Sequence, residues 1–213
     1  MGDLVKEAFQ KDIYKVKLRR KLPYIFKIID LEFSKGGHVG MEVGVFRERA
    51  LASFFMHVFG EDKVILDTAN KAEVDLRIVG HDNPISIKTK TGSGLSGVKL
   101  KWTVDWKKAE EFYGSYFPAS DMLFVQINWN RHGLFAYIPL NIQKQVFTEL
   151  GKESYLKLPR KGTNPRGVEI STLALKECLK RTEHKLDIHW KVDESILSKY
   201  NPYKRWIELW EEE

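Results

Sequence analysis

The sequence predicts an α/β protein with a mixed central β-sheet flanked by helices. Three observations predict it: apolar residues at helical spacing near the N-terminus, three strand-like runs in succession between about 63 and 91, and alternating strand and helix patterns beyond them. Residues 3–34 read as helical, because Leu22, Ile25, Phe26 and Ile29 fall at i, i+3, i+4 and i+7, with Pro23 placed where a helix can start. SKGGHVG, 34–40, reads as a loop. A helix over 42–59 carries Phe46, Ala50, Phe54 and Val58 at four-residue steps and ends at Gly60. KVILDT, EVDLRIV and ISIKTKT then read as strands, separated by AN-K and GHDNP turns. After TGSGLSG, Val98, Leu100, Trp102 and Val104 alternate with polar residues, again a strand pattern. A helix near 104–113 leads to MLFVQINW and GLFAYIPL, joined by NRHG. Helices near 141–150 and 171–182 enclose a basic irregular stretch. In the mixed tail, Trp206 and Trp210 read as docking residues on a helix.

With no repeat and no low-complexity linker, residues 1–213 are expected to form a single domain. Its N-terminal helical segment, about 1–35, is expected as an appendage for dimerisation or DNA contact. Lys and Arg number 35 against 29 Asp and Glu, a formal charge of +6, which is compatible with a polyanionic partner and with an ordinary basic protein alike. Cys178 is the single cysteine, so an intrachain disulfide and a thiolate zinc site are both excluded. The odd separation of His184 and His189 argues against zinc on a strand. No apolar run approaches the roughly 18 residues of a membrane span, and MGDLVKEAFQ lacks a signal-peptide core. The expectation is a cytoplasmic protein without a membrane partner.

Gly92, Gly94 and Gly97 stand in G-x-G-x-x-G order, which can mark a dinucleotide site only where a helix begins at the last glycine. The strand pattern of VKLKWTV argues against that, and no nucleotide cofactor is expected. The strands before the loop carry more chemistry. Alternation places Val74, Leu76 and Ile78 on one face of EVDLRIV and Glu73, Asp75 and Arg77 on the other. In ISIKTKT, Ile85, Ile87 and Thr89 point inward and Ser86, Lys88 and Lys90 outward. If the two runs pair, carboxylates lie beside amines on one face. That face is either a solvated hairpin surface with weak ion pairs, or a metal site with a catalytic lysine, since carboxylates bind Mg²⁺ and an ammonium stabilises charge on a phosphorane.

The order of a helix with Glu, AEVDLRI, ISIKTK and SDMLFVQINW over residues 40–130 resembles the nuclease core of the PD-(D/E)XK superfamily, in particular type II restriction endonucleases. The resemblance implies that Asp75 is the metal-bridging aspartate and Lys88 the catalytic lysine, with the Ile87 main-chain carbonyl as a further ligand. Val74 stands where the pattern has proline, and Ser86 stands where it has an acid. Another carboxylate must therefore serve. Glu48, at the edge of the stripe through Leu51 and Phe55, is the first choice and resembles the helix glutamate of many superfamily members; Glu42 and Glu73 are the alternatives. The implied reaction is Mg²⁺-dependent hydrolysis of double-stranded DNA to 5′-phosphate and 3′-hydroxyl ends, with Mn²⁺ able to substitute. A homodimer acting on a short palindrome is expected. A structure-specific resolvase or repair nuclease, or a DNA-binding module with a decayed site, are the competing functions.

The expected DNA contacts follow the same reading. Lys90, Ser93 and Gly94 would meet the phosphates at the glycine loop. Lys99 and Lys101 would extend a phosphate track. Arg160, Lys161, Asn164 and Arg166 stand in a loop with the chemistry to read base edges. Asn130 and Arg131 in the NRHG turn have similar chemistry, and Arg47 is placed among the contacts. Met41 is either an apolar wedge between base steps or a packed residue at the helix start.

Overall fold

The computed structural model describes residues 3–35, 38–39, 41–67, 73–159, 166–197 and 200–212. Arg160, Lys161 and Asn164 lie outside the described residues, as do the side chains of Met41 and Glu42.

Two helices open the chain, α1 (Leu4–Gln10) and α2 (Asp12–Phe33). Asp3 caps the first by accepting the Lys6 N–H at 3.0 Å. Pro23 does not start a helix: it sits inside α2, buried against the core. One backbone bond is lost there, and packing of Leu18, Leu22, Phe26 and Ile29 holds the helix through the gap. A two-stranded ribbon, β1 (Ser34–Lys35) and β2 (His38–Val39), precedes α3 (Met41–Phe59), which ends where Gly60 turns to φ 104°.

Six strands then form the main sheet: β3 (Val64–Leu66), β4 (Leu76–Ile78), β5 (Ile85–Thr91), β7 (Asp121–Ile127), β8 (His132–Ile138) and β11 (Lys185–His189). Their spatial order is β11-β8-β7-β5-β4-β3. β5 and β7 run parallel from Ile85↔Asp121 to Thr91↔Ile127, and the other neighbours run antiparallel. A parallel pair needs a long crossover, and the chain supplies one in β6 (Lys99–Lys101) and α4 (Trp106–Ser115). The C-terminal half adds α5 (Leu140–Leu150), α6 (Lys152–Tyr155), β9 (Leu156–Lys157), β10 (Val168–Ile170), α7 (Thr172–Arg181), α8 (Glu194–Leu197) and α9 (Lys204–Glu211). β6, β10 and β9 make a separate three-stranded sheet.

Apolar clusters cover both faces of the main sheet. One joins Val5 and Phe9 of α1 and Phe26 of α2 to Leu51, Phe55, Ile85, Ile87, Leu123 and Val125. The N-terminal segment thus contributes core side chains. The other joins Met122, Phe124, Ala136 and Ile138 to Val146, Tyr155 and Leu175. With cover on both sides, Ser86 is buried at 1% exposure, contrary to the outward position that alternation assigns it. Period two identifies which residues share a face but not whether that face is covered. β6 departs from its pattern in the opposite sense: Val98 and Leu100 are buried, while Trp102 and Val104, beyond the short strand, are exposed.

Candidate active site

The strand expected over EVDLRIV spans only Leu76–Ile78. Glu73 stands at φ 67°, a left-handed conformation uncommon outside glycine, and the chain bends through Asp75 before pairing begins. β4 therefore meets β5 at Leu76↔Ile85, with Asp75 N–H donating to the Ile85 carbonyl at 2.9 Å, and β5 continues beyond it to Thr91. The two strands fork there. A fork leaves backbone groups of β5 without ladder partners, and these must be satisfied otherwise. The Asp75 carboxylate does so, accepting the Ile87 N–H through Oδ2 at 2.5 Å. The N–H and C=O of one strand residue point to the same side, so the Ile87 carbonyl also faces the open fork.

Ser86 Oγ donates to the same Asp75 oxygen at 3.3 Å, and Lys88 Nζ lies 3.8 Å from it. Asp75, Ser86 and Lys88 thus share one face as alternation requires. Their chemistry is a carboxylate aimed by two hydrogen bonds at a half-buried ammonium. Lys88 retains 14% and Asp75 26% side-chain exposure, so both are reachable from outside.

Two further carboxyls feel the charges of Asp75 and Lys88. Burial pushes Glu48 of α3 up to about 7; the Asp75 charge adds to the rise and the Lys88 ammonium opposes it. Burial likewise lifts Glu73 to about 7, against the pull of Lys88 and of a hydrogen bond from Tyr116, with Asp75 adding to the rise. Tyr116 Oη donates to Glu73 Oε1 at 3.0 Å and is itself buried at 5% exposure. Sequence reasoning missed Tyr116, which lies 43 positions from its partner beyond α4, and no local pattern marks it.

Among the described residues, no three histidine, cysteine or carboxylate side chains are drawn together tightly enough to hold a metal by themselves. Mg²⁺ does not require that, since it is held by one or two carboxylates and keeps several waters. The donors here fit such an ion. Burial and the Asp75 charge penalise the negative charge of Glu48 and Glu73, and a divalent cation would relieve both.

The glycine loop follows directly. Gln126, at the end of β7, donates from Nε2 to the carbonyls of Gly92, Ser93 and Gly94 at 3.2, 2.8 and 3.4 Å. Gly92 and Gly97 adopt φ of 101° and 83°, and a Cβ on Gly97 would sit 3.7 Å from Lys90 Nζ, so the loop folds back over that lysine. Ser93 and Gly94 are exposed at its tip. Because β5 and β7 run parallel, the turn carrying exposed Asn130 and Arg131 leaves the sheet at the same end.

Other expected contacts stand differently. Arg47 is not available to a ligand: it is 3% exposed, with its guanidinium bound to Asp30 at 2.6 Å and Thr91 at 3.0 Å. Asp30 also accepts the Trp129 indole N–H at 3.1 Å, so Arg47 belongs to an interior network joining α2, α3 and the β7–β8 turn. Lys99 is paired with Glu169, which also lies 3.5 Å from Lys157, so its charge is compensated within the chain. Lys101 is half-buried on the same strand, and Arg166 is exposed.

A family model described as "Restriction endonuclease ThaI" matches residues 8–212. A solved structure of a restriction endonuclease in complex with substrate DNA superposes with a TM-score of 0.86 at 44% sequence identity, covering 99% of this chain and 100% of that one. No match was found among curated proteins.

Proposed function

Because the chain belongs to the restriction endonuclease ThaI family and is a sequence-specific DNA endonuclease, we propose that its reaction is Mg²⁺-dependent hydrolysis of a DNA phosphodiester at the β4–β5 fork, leaving 5′-phosphate ends. The observation that carries the site is Asp75: a carboxylate held by the Ile87 N–H, 3.8 Å from the Lys88 ammonium, at a strand fork. The related endonuclease binds substrate DNA, which supports a duplex as the ligand of this cleft. Lys90, the tip of the glycine loop, the Asn130–Arg131 turn and Lys101 are the contacts we assign to its backbone.

Asp75, Glu48 and the Ile87 carbonyl would hold the ion, with Glu73 as a further carboxylate beside Lys88. When bound, Mg²⁺ supplies Lewis-acid polarisation of the phosphate and lowers the pKa of a coordinated water. Lys88 stabilises the charge that gathers on the phosphoryl oxygens, at a position fixed before substrate arrives. Ser86 does not replace the missing acid; it anchors Asp75. Tyr116 fixes Glu73. A homodimer meeting a palindrome would present two such sites to the two strands.

Plasmid digestion tests this reading. Discrete fragments in Mg²⁺ and none after chelation are expected, with a single base sequence at every end. Cutting confined to branched junctions would assign the chain to a resolvase, and retardation of DNA without cutting would make it a binding module.

Glu48→Gln separates two effects of one carboxylate. Below pH 4.5 the glutamate is protonated in both the folded and unfolded states, and the substitution is nearly neutral. Above about pH 7 the folded protein must carry a buried negative charge that the unfolded chain carries freely in water. The variant should then be more stable than wild type in metal-free buffer, by about 1–3 kcal/mol at pH 8, while cutting more slowly than Glu73→Gln or Glu42→Gln. Thermal unfolding at pH 4.5 and 8, beside cleavage rates, checks it. Unchanged stability with wild-type cutting would remove Glu48 from the site.

A further inference from the structure

Helix α9 carries Tyr203, immediately before it, with Trp206, Ile207 and Trp210 at i, i+3, i+4 and i+7, a single apolar stripe. Core helices bury such a stripe. Here the four side chains are 69%, 62%, 48% and 90% exposed. α9 stands off from α2 and α3 across a cleft of about 1360 Å³ lined by Tyr24, Phe33, Phe46 and Trp206. The three aromatic residues alone leave roughly 400–500 Å² of surface open. That equals the largest apolar patch of an ordinary monomer, and is more than half of the roughly 800 Å² each partner gives to a standard interface.

The charges on the helix select the occupant. Lys204 stands at its N-terminal end and Glu211 and Glu212 at its C-terminal end. This arrangement opposes the macrodipole, which favours acids at the start and bases at the end. The pairing of Lys204 with Glu208 at 3.7 Å has lysine before glutamate, the less favourable order. An antiparallel copy of the same helix reverses the balance, because the basic end of each meets the acidic end of the other and the two dipoles oppose. A two-fold axis across the helix generates that arrangement from identical chains, with the aromatic stripes face to face.

We propose that α9 is the dimerisation helix, pairing antiparallel with α9 of a second copy through Tyr203, Trp206, Ile207 and Trp210. This rests on the homodimer proposed above and supplies its contact surface.

Sedimentation of the full-length protein without DNA, over a concentration series, tests it. Wild type should reach twice its 24.8 kDa mass, and Trp206→Glu with Trp210→Glu should raise the dissociation midpoint at least about a hundredfold. Both indoles are exposed, so circular dichroism and melting of the diluted variant should match the diluted wild type. Lys204→Glu, or Glu211→Lys with Glu212→Lys, should each weaken association at low salt, and all three in one chain should restore it. A monomeric wild type, a double tryptophan variant that dimerises like wild type, or a triple variant no better than its parents would each overturn the proposal. Asp75→Asn should dimerise normally, so loss of cleavage and loss of association are read separately. A dimer that cuts no DNA would count against the nuclease reading and leave the α9 contact standing.

Discussion

Asp75→Asn loses strand cleavage by at least about a thousandfold while DNA binding is retained or tightened. Asparagine keeps the size of the side chain and one acceptor oxygen for the Ile87 N–H, so the fork stays closed at the point where β4 begins. The negative charge is what disappears. In the proposed site that charge would be the main ionic ligand for Mg²⁺, and it would also repel an approaching phosphate. Removing it withdraws one of the influences that hold the Glu48 carboxyl above its usual range, so that carboxyl should titrate lower in the variant. Single-turnover cleavage and gel retardation on one duplex measure both halves of the expectation. Wild-type rates would take Asp75 out of the chemistry; loss of binding together with cutting would make its role structural.

Lys88→Ala should slow cleavage at least about a hundredfold with a smaller effect on binding. The ammonium is fixed on the central strand, 14% exposed and 3.8 Å from Asp75. Charge stabilisation at that point depends on a compact cation, so Lys88→Arg should not rescue, the planar guanidinium being larger and differently directed. Lys90→Ala is the control. Its side chain lies under the glycine loop near Gly97, where loss of a phosphate contact should raise the salt sensitivity of binding more than it slows the chemical step. If only Lys90→Ala abolished cutting, the roles of the two lysines would be reversed.

β5 was fully legible in the sequence, since its seven residues alternate without interruption and the turn before it contains Asn83 and Pro84. Alternation places Glu73, Asp75 and Arg77 on one face and Ser86, Lys88 and Lys90 on another, but it does not choose among them; Asp75 and Lys88 are singled out by the resemblance to the PD-(D/E)XK nuclease core. The end of β4 was not legible. Glu73 and Val74 continue the alternation of the strand, and only the left-handed backbone at Glu73 shows where pairing stops. Arg47 misled for a different reason. A lone arginine on a helix reads as a surface cation, and the Asp30 carboxylate and Thr91 hydroxyl that enclose it lie 17 and 44 positions away. Tyr116 had no signal at all. Long-range partners of this kind are set by tertiary packing, which a local pattern does not encode. The stripe of α9 was legible as a docking face, but its exposure was not, because periodicity gives the direction of a helix face and says nothing about what meets it.

The most direct test of the fork as the hydrolytic centre is the position of a divalent ion. Crystals of the protein with its DNA, soaked in Mn²⁺ and measured for anomalous scattering, should show a peak within ligand distance of the Asp75 carboxylate and the Ile87 carbonyl. A peak at another cluster, or cleavage-competent crystals with no peak beside Asp75, would contradict it.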